Sequence, residues 1–232
     1  MVDFPQNTAM LWTGGKDSAM ALYEANQNGY NVCCLVTFAP PEPDFLAHPL
    51  SFIKMQAEAV ALPHYVLPIS APFVKGYESS LCWLRDELAI RCVITGDIAE
   101  VNGYPNWIRE RSRPVGISVF TPLWGRDRNT LLRQLLDRGF KVRFSCVNTN
   151  RLAADWVGRE LNDAAITELH IIREQTGLDL CGEEGEYHTM VVDGPLFTRG
   201  INIRSYSKRL TGSLAYMEIH ELELIDHNRV VT

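Results

Sequence analysis

The 232 residues are 46% hydrophobic, enough for a buried core, and their formal charge of −6 argues against a broad nucleic-acid-binding surface. No apolar run approaches the length of a membrane span, and Met1-Val2-Asp3-Phe4-Pro5 lacks the features of a secretory leader. The six cysteines include no C-x-x-C pair and sit largely in apolar runs, so a cytoplasmic protein with reduced thiols is expected.

The first predicted strand is Ala9 to Trp12, followed by a turn through Gly14 and Gly15 and an apolar-periodic helix from Ser18 to about Asn28, stopped by Gly29. A strand–loop–helix of this kind aims backbone N–H groups and the positive end of a helix dipole at one point, which favours phosphate. Gly14 and Gly15 permit close approach of a ligand, Lys16 adds positive charge, and Ser18 offers a hydroxyl. Asp17 can cap the helix or hold a magnesium ion. The spacing is neither that of a Walker A loop nor that of a dinucleotide fingerprint.

Asn31 to Phe38 is a continuous apolar run, the pattern of a strand covered on both faces. Ala39 to His48 reads as a Pro-rich loop, and Pro49 starts a helix over Leu50 to Ala61. Further strands are predicted at His64–Ile69, Arg91–Thr95 and near Ile117–Phe120. The helices between them are Phe73–Leu88 and one running from beyond Ile98 through Trp107 and Arg109. The alternation predicts right-handed βαβ units in a doubly wound, five-stranded parallel sheet. Gly96-Asp97 then falls at the ligand edge, where Asp97 can hold Mg²⁺ or a ribose hydroxyl, or simply cap the next helix.

A second, smaller domain is expected from residue 125 to 232, after a nucleotide-binding domain over 1–124. Asp127 caps a helix bearing Leu131, Leu132, Leu135 and Leu136, closed by Gly139. Phe140 to Thr149 is a strand, and helices are predicted over Ala153–Leu161 and Asp163–Thr176. Tyr187–Val192 and about Ile201–Ile225 alternate as half-exposed antiparallel strands do, and Leu214–Ile225 either forms a homodimer edge or completes the second domain's own sheet.

Between these elements lies Cys181-Gly182-Glu183-Glu184-Gly185-Glu186-Tyr187-His188-Thr189. Three carboxylates within four residues repel one another and invite cations; the cluster can hold magnesium, bind a cationic substrate or take a proton from ammonium. A solvated acidic turn is the plainer alternative.

Thr13-Gly14-Gly15-Lys16-Asp17-Ser18 resembles the S-G-G-K-D-S loop of the PP-loop ATP pyrophosphatases, with Thr13 in place of the first serine. Members cleave ATP between the α- and β-phosphates and transfer the adenylyl group to a substrate oxygen. With Gly96-Asp97-Ile98, Pro122-Leu123-Trp124, the acidic loop and Asp193-Gly194-Pro195-Leu196-Phe197 added, about the first 200 residues resemble the diphthine–ammonia ligase family, also called the ATP-binding domain 4 group. The resemblance implies a parallel nucleotide-binding domain of the adenine nucleotide alpha hydrolase kind followed by a smaller α/β domain. It implies adenylation of a substrate carboxylate, then displacement of AMP by ammonia to give an amide. The acceptor in eukaryotic and archaeal members is diphthine on elongation factor 2. The family pattern at the acidic loop is Gly-Glu-Gly-Gly-Glu-[Tyr/Phe]-Glu-Thr, whereas this chain has Glu184 for a glycine and His188 for a glutamate. The chemistry therefore transfers better than the acceptor, and an unidentified small molecule stands beside diphthine as a candidate.

The roles expected on this basis are as follows. Thr13, Gly14, Gly15, Lys16, Asp17 and Ser18 hold the ATP phosphates, with Lys16 and Asp17 catalytic. Thr37, Phe38 and His48 contact the nucleoside, with Gly96 and Asp97 beside them, and Asp17 and Asp97 share Mg²⁺. Asn148, Glu183, Glu184, Glu186, Tyr187 and His188 line the acceptor or ammonia site, Glu183 and Glu186 as catalytic acids. Two rivals remain at this level. One is an RNA thiolase using Cys181 or Cys146, with Arg109-Glu110-Arg111-Ser112-Arg113 on phosphate. The other is a non-catalytic ATP sensor.

Overall fold

The computed structural model describes residues 6–100 and 106–227. Its contacts divide the chain into two compact units. The first holds the residues up to Thr13, Asp17–Asp44 and Leu62–Gly125; the second holds Gly14–Lys16, Phe45–Ala61 and the chain from Arg126 onward. The helix between the second and third strands thus groups with the later part of the chain.

The first unit is built on a five-stranded parallel sheet of β1 (Asn7–Leu11), β2 (Asn31–Ala39), β3 (His64–Pro68), β4 (Cys92–Ile94) and β5 (Ser118–Phe120), ordered β3-β2-β1-β4-β5. The expected parallel α/β architecture is what the backbone adopts. Helix α1 (Lys16–Gln27) follows β1 and ends near Gly29, whose φ of +76° suits the absence of a Cβ. Helices α3 (Phe73–Glu87) and α4 (Trp107–Ser112) complete this unit. The start of the helix predicted before Trp107 falls in residues 101–105, outside the described residues. Ala9, Cys34, Val36 and Val93 from the strands pack with Leu81, Leu84 and Ile90 in a core cluster. The strand order reverses at β1, whose neighbours are β2 and β4, and the C-terminal ends of β1 and β4 mark the switch point where such sheets hold ligands.

The second unit contains an antiparallel sheet ordered β7-β6-β9-β8, from β6 (Lys141–Asn148), β7 (Tyr187–Asp193), β8 (Arg199–Thr211) and β9 (Leu214–Asp226). Helices α2 (Leu50–Ala59), α5 (Arg128–Asp137) and α6 (Asp163–Thr176) belong with it. Asp127 caps α5 by accepting from the Thr130 N–H at 2.8 Å, as its position predicts. Phe144 lies at the centre of this core, its ring 5.0 Å from both Trp156 and Tyr187. Helix α2 joins the unit through Ala59, whose carbonyl accepts from Thr198 N at 2.7 Å and Thr198 Oγ1 at 2.8 Å.

One expectation is corrected. Ala153–Leu161 is not a helix: only Ala154–Trp156 forms a 3₁₀ turn, and Gly158 takes a φ of +87°. The segment instead pairs beside β6, with Gly158 N donating to Phe144 O, Phe144 N to Arg159 O and Leu161 N to Val142 O. Sheet pairing available only in the tertiary fold overrides the local helical pattern. Strand β9 completes this unit's own sheet, pairing with β8 along its length and with β6 over Leu214–Tyr216, and β7 and β8 are the sheet's edges.

Gly96, just past β4, packs against the start of α1. A Cβ built there would stand 2.6 Å from the Asp17 carbonyl carbon and 2.7 Å from Ser18 N, both backbone atoms. Gly96→Ala is therefore expected to push the first turn of α1 away from β4. Denaturant unfolding should show a loss of about 1–3 kcal/mol, the usual cost of overpacking a fixed contact.

Candidate functional site

The first unit contributes the two ends of the glycine-rich stretch. Thr13 is exposed and donates to Ser18 Oγ at 3.3 Å, closing the turn between β1 and α1, while Ser18 is buried and Asp17 half-buried. The Gly96 approach brings Asp97 to the same switch point. Asp97 Oδ2 accepts from Thr95 Oγ1 at 2.7 Å and from Asn106 Nδ2. Asn106 in turn caps α4, accepting from Arg109 N at 2.8 Å. Among the described residues no three His, Cys, Asp or Glu side chains gather closely enough to hold a metal ion unaided. Asp17 and Asp97 both carry oxygen donors, the ligand type Mg²⁺ prefers.

Thr37 does not present a side-chain ligand. Its buried hydroxyl donates to Trp12 O at 2.7 Å and accepts from His64 Nε2 at 2.8 Å, tying β2 to β1 and β3. Phe38 is half-buried and meets Tyr77 edge-on at 5.1 Å, and Tyr77 meets the exposed Trp107 at 5.9 Å. These rings form an aromatic file at the C-terminal end of β2.

In the second unit, Gly14, Gly15 and Lys16 lie buried along the outer edge of β7. Val191 N donates to Gly14 O at 3.1 Å, and Lys16 N donates to Thr189 Oγ1 at 3.1 Å. Gln56, on α2 and 0% exposed, sends its Nε2 to Gly14 O at 2.8 Å and to Val191 O at 2.7 Å. His48 Nε2 donates to Thr189 O at 2.8 Å. His48 thus braces β7 in this unit. Gln56 was not picked out from sequence, because a lone glutamine on an amphipathic helix carries no motif. The only available hint was its place on the apolar face of Leu50–Ala59.

Lys16 is 4% exposed, and its ammonium is held rather than mobile. It donates to Cys181 O at 2.5 Å and sits 5.2 Å from the Tyr187 ring centre. Tyr187 Oη donates to Leu180 O, fixing the ring beneath that ammonium.

The three acids of the loop separate by environment. Glu183 is half-buried and Glu184 exposed, whereas Glu186 is 0% exposed. Glu186 Oε1 accepts from Asp179 N at 2.8 Å and Oε2 from Glu184 N at 3.0 Å, and its backbone carbonyl accepts from Asn148 N at 2.8 Å. With each oxygen accepting from a backbone donor, the buried Glu186 carboxyl holds the loop together. Asp179 reinforces the same turn, accepting from Cys181 N at 2.7 Å and pairing with Arg128 at 3.1 Å. Asn148 folds its Oδ1 back onto Asn150 N at 3.1 Å, so that oxygen shapes a turn. His188 is exposed and meets His48 edge-on at 5.5 Å.

Burial holds the His48 imidazole at about 4, below its usual 6.5, and the neighbouring His188 and Lys16 charges push the same way. Burial also raises the Cys146 thiol to about 11. Cys181 is equally buried, its Sγ 3.7 Å from Arg128 O. Neither cysteine has the exposed, electropositive setting of a reactive thiolate. Arg111 pairs with Glu78 at 3.1 Å and lies 4.9 Å over the Trp107 ring.

The family model described as the diphthamide synthase N-terminal domain matches residues 6–119, and the diphthamide synthase C-terminal domain matches 127–225. The chain belongs to the diphthamide synthase family. Diphthamide synthase relatives include a human protein named diphthine–ammonia ligase, 24% identical, with 94% of this chain and 92% of that protein covered. A zebrafish (Danio rerio) protein of the same name is 24% identical, with coverages of 83% and 84%. A Schizosaccharomyces pombe protein of that name is 25% identical over 90% of this chain and 38% of its own length. A solved Methanocaldococcus jannaschii structure, described as a predicted subunit of tRNA methyltransferase, aligns with a TM-score of 0.49 and 18% identity. That alignment spans 82% of this chain and 98% of the other. No described helix of this diphthamide synthase family member is long and apolar enough to cross a membrane.

Two outcomes are expected from these contacts. Glu186→Gln puts an amide N–H against one of two backbone donors, and should cost about 2–4 kcal/mol in denaturant unfolding while loosening amide exchange across residues 179–186. His48 titrates below its unfolded value, so its contribution is complete above about pH 6.5 and is lost as pH falls toward 4. Wild type should therefore lose stability across that window by about 1.4 kcal/mol per pH unit more than His48→Gln does. Parallel curves for the two proteins would contradict this assignment.

Proposed function

We propose that this chain is an ATP-dependent amide ligase that forms AMP, joining ammonia to an acceptor carboxylate, as the name of its relatives describes for diphthine. One observation carries the reading: an intact Thr13–Ser18 glycine-rich loop opening α1, in a chain that matches both halves of the diphthamide synthase family. In this proposal residues 1–124 serve ATP and 125–232 serve the acceptor. The N–H groups of Gly14 and Gly15, with Ser18, receive the β- and γ-phosphates, and Lys16 counters charge on the departing pyrophosphate. Asp17 and Asp97 hold Mg²⁺, which when bound neutralises phosphate charge.

An acceptor carboxylate oxygen attacks the α-phosphorus, the bond to the β-phosphate oxygen breaks, and pyrophosphate leaves. Ammonia then attacks the acyl carbon, the bond to AMP breaks, and the nitrogen sheds a proton as the amide forms. Phe38 packs against the nucleoside, and Gly96 keeps the Asp97 turn close to α1. Glu183 is assigned to bind ammonium and take that proton, while Glu184, Tyr187 and His188 shape the acceptor's surroundings. Glu186 and Asn148 act by holding the loop. The acceptor is assigned only as a carboxylate, with diphthine one member of the class.

The test supplies ATP labelled in the α-phosphate with Mg²⁺, ammonium and fractionated cell extract. Labelled AMP, dependent on ammonium and on one fraction, is the expected product. Asp17→Ala should lower it by about 100-fold or more. Labelled ADP, or AMP formed regardless of ammonium, would overturn the amide ligase.

A further inference from the structure

We infer that Gln56 is a positioning residue for the ATP phosphates, acting through the Gly14–Gly15 peptide. The inference rests on the ATP-dependent reading above and adds a residue that no motif contains.

Gly14 O is pinned toward β7 by Gln56 Nε2 at 2.8 Å and Val191 N at 3.1 Å. A trans peptide is planar, with its N–H directed opposite its C=O. Fixing the Gly14 carbonyl toward β7 therefore fixes the Gly15 N–H away from β7. The next amide, Lys16 N–H, donates to Thr189 Oγ1 at 3.1 Å and is committed to the strand. The Gly15 N–H is thus directed away from the strand, and Gln56 together with Val191 N sets that direction.

The surroundings make the arrangement exacting. Gln56 has no exposed surface, and the same Nε2 also donates to Val191 O at 2.7 Å, so swinging its amide breaks both bonds at once and takes this donor from the Val191 carbonyl. Gly14 has a φ of +81°, and a Cβ there would stand 2.3 Å from Gln56 Oε1. The glutamine thus occupies the space a side chain at residue 14 would need. The peptide plane and the amide hold each other in one arrangement.

The experiment measures binding of Mg·ATP, Mg·pyrophosphate and AMP by calorimetry to the full chain, as wild type and as Gln56→Leu, which retains bulk without the donor. Positioning through the Gly15 amide predicts about tenfold weaker ATP and pyrophosphate binding, equivalent to about 1.4 kcal/mol, with AMP binding unchanged. Equal affinities in the two proteins, or equal losses for all three ligands, overturn it. A second measurement needs only wild type: amide exchange at Val191, whose N–H meets Gly14 O, should slow with pyrophosphate and not with AMP. No slowing with bound pyrophosphate overturns the inference even where Gln56→Leu fails to fold. Wild type that binds neither ATP nor pyrophosphate overturns the ATP-dependent reading itself, and this inference with it.

Discussion

The carbonyl oxygen of Gly14 is the point on which the second unit's edge depends. It accepts from Val191 N and from Gln56 Nε2, so the glycine-rich stretch serves as a short extra rung beside β7. An open sheet edge leaves unpaired donors and acceptors that attract foreign strands. Here Gly14 and Gln56 satisfy Val191, and His48 satisfies the Thr189 carbonyl. Each such bond is worth about 0.5–1.5 kcal/mol net, but a buried group left without a partner costs about 1–3 kcal/mol. The same contacts explain why α2 and its preceding residues group with the later part of the chain: Gln56 and His48 both lie in Phe45–Ala61.

The acidic loop obeys a related rule, with burial deciding what each carboxylate can do. The Glu186 carboxyl is fully buried, a costly position unless both oxygens are satisfied, and the Asp179 and Glu184 N–H groups supply that. Gly182 makes the turn possible: its φ is +77°, and a Cβ would stand 2.7 Å from the Tyr187 carbonyl oxygen. Lys16 closes the arrangement by donating to Cys181 O above the Tyr187 ring. A loop built this way can carry further acids at its rim because its frame does not depend on them.

That division bears on how this chain differs from the pattern it resembles. Glu186, Tyr187 and Thr189 follow the pattern and are buried, each with hydrogen bonds that hold the strand or loop. Glu184 and His188 depart from it and are exposed. Both departures thus fall at exposed positions, while the buried residues that hold the loop follow the pattern.

Much of the fold was legible in order along the chain. Unbroken apolar runs marked β2 and β4 as strands covered on both faces, and Asp127 and Gly139 bracketed α5 because capping and a positive φ are local requirements. The glycine loop was legible for the same reason, since its chemistry is carried by six consecutive residues. Residues 153–161 were not, because β6 offers that segment hydrogen bonds that no neighbour in sequence announces. The role of Gln56 was hidden likewise, its partners Gly14 and Val191 lying 42 and 135 positions away. By itself the sequence determined the strands, most of the helices, the glycine loop and the presence of an acidic turn, all set by short-range periodicity and backbone sterics. Only the tertiary structure decided which acid became scaffold and which imidazole a brace, because burial and hydrogen-bond partners arise from segments far apart in the chain.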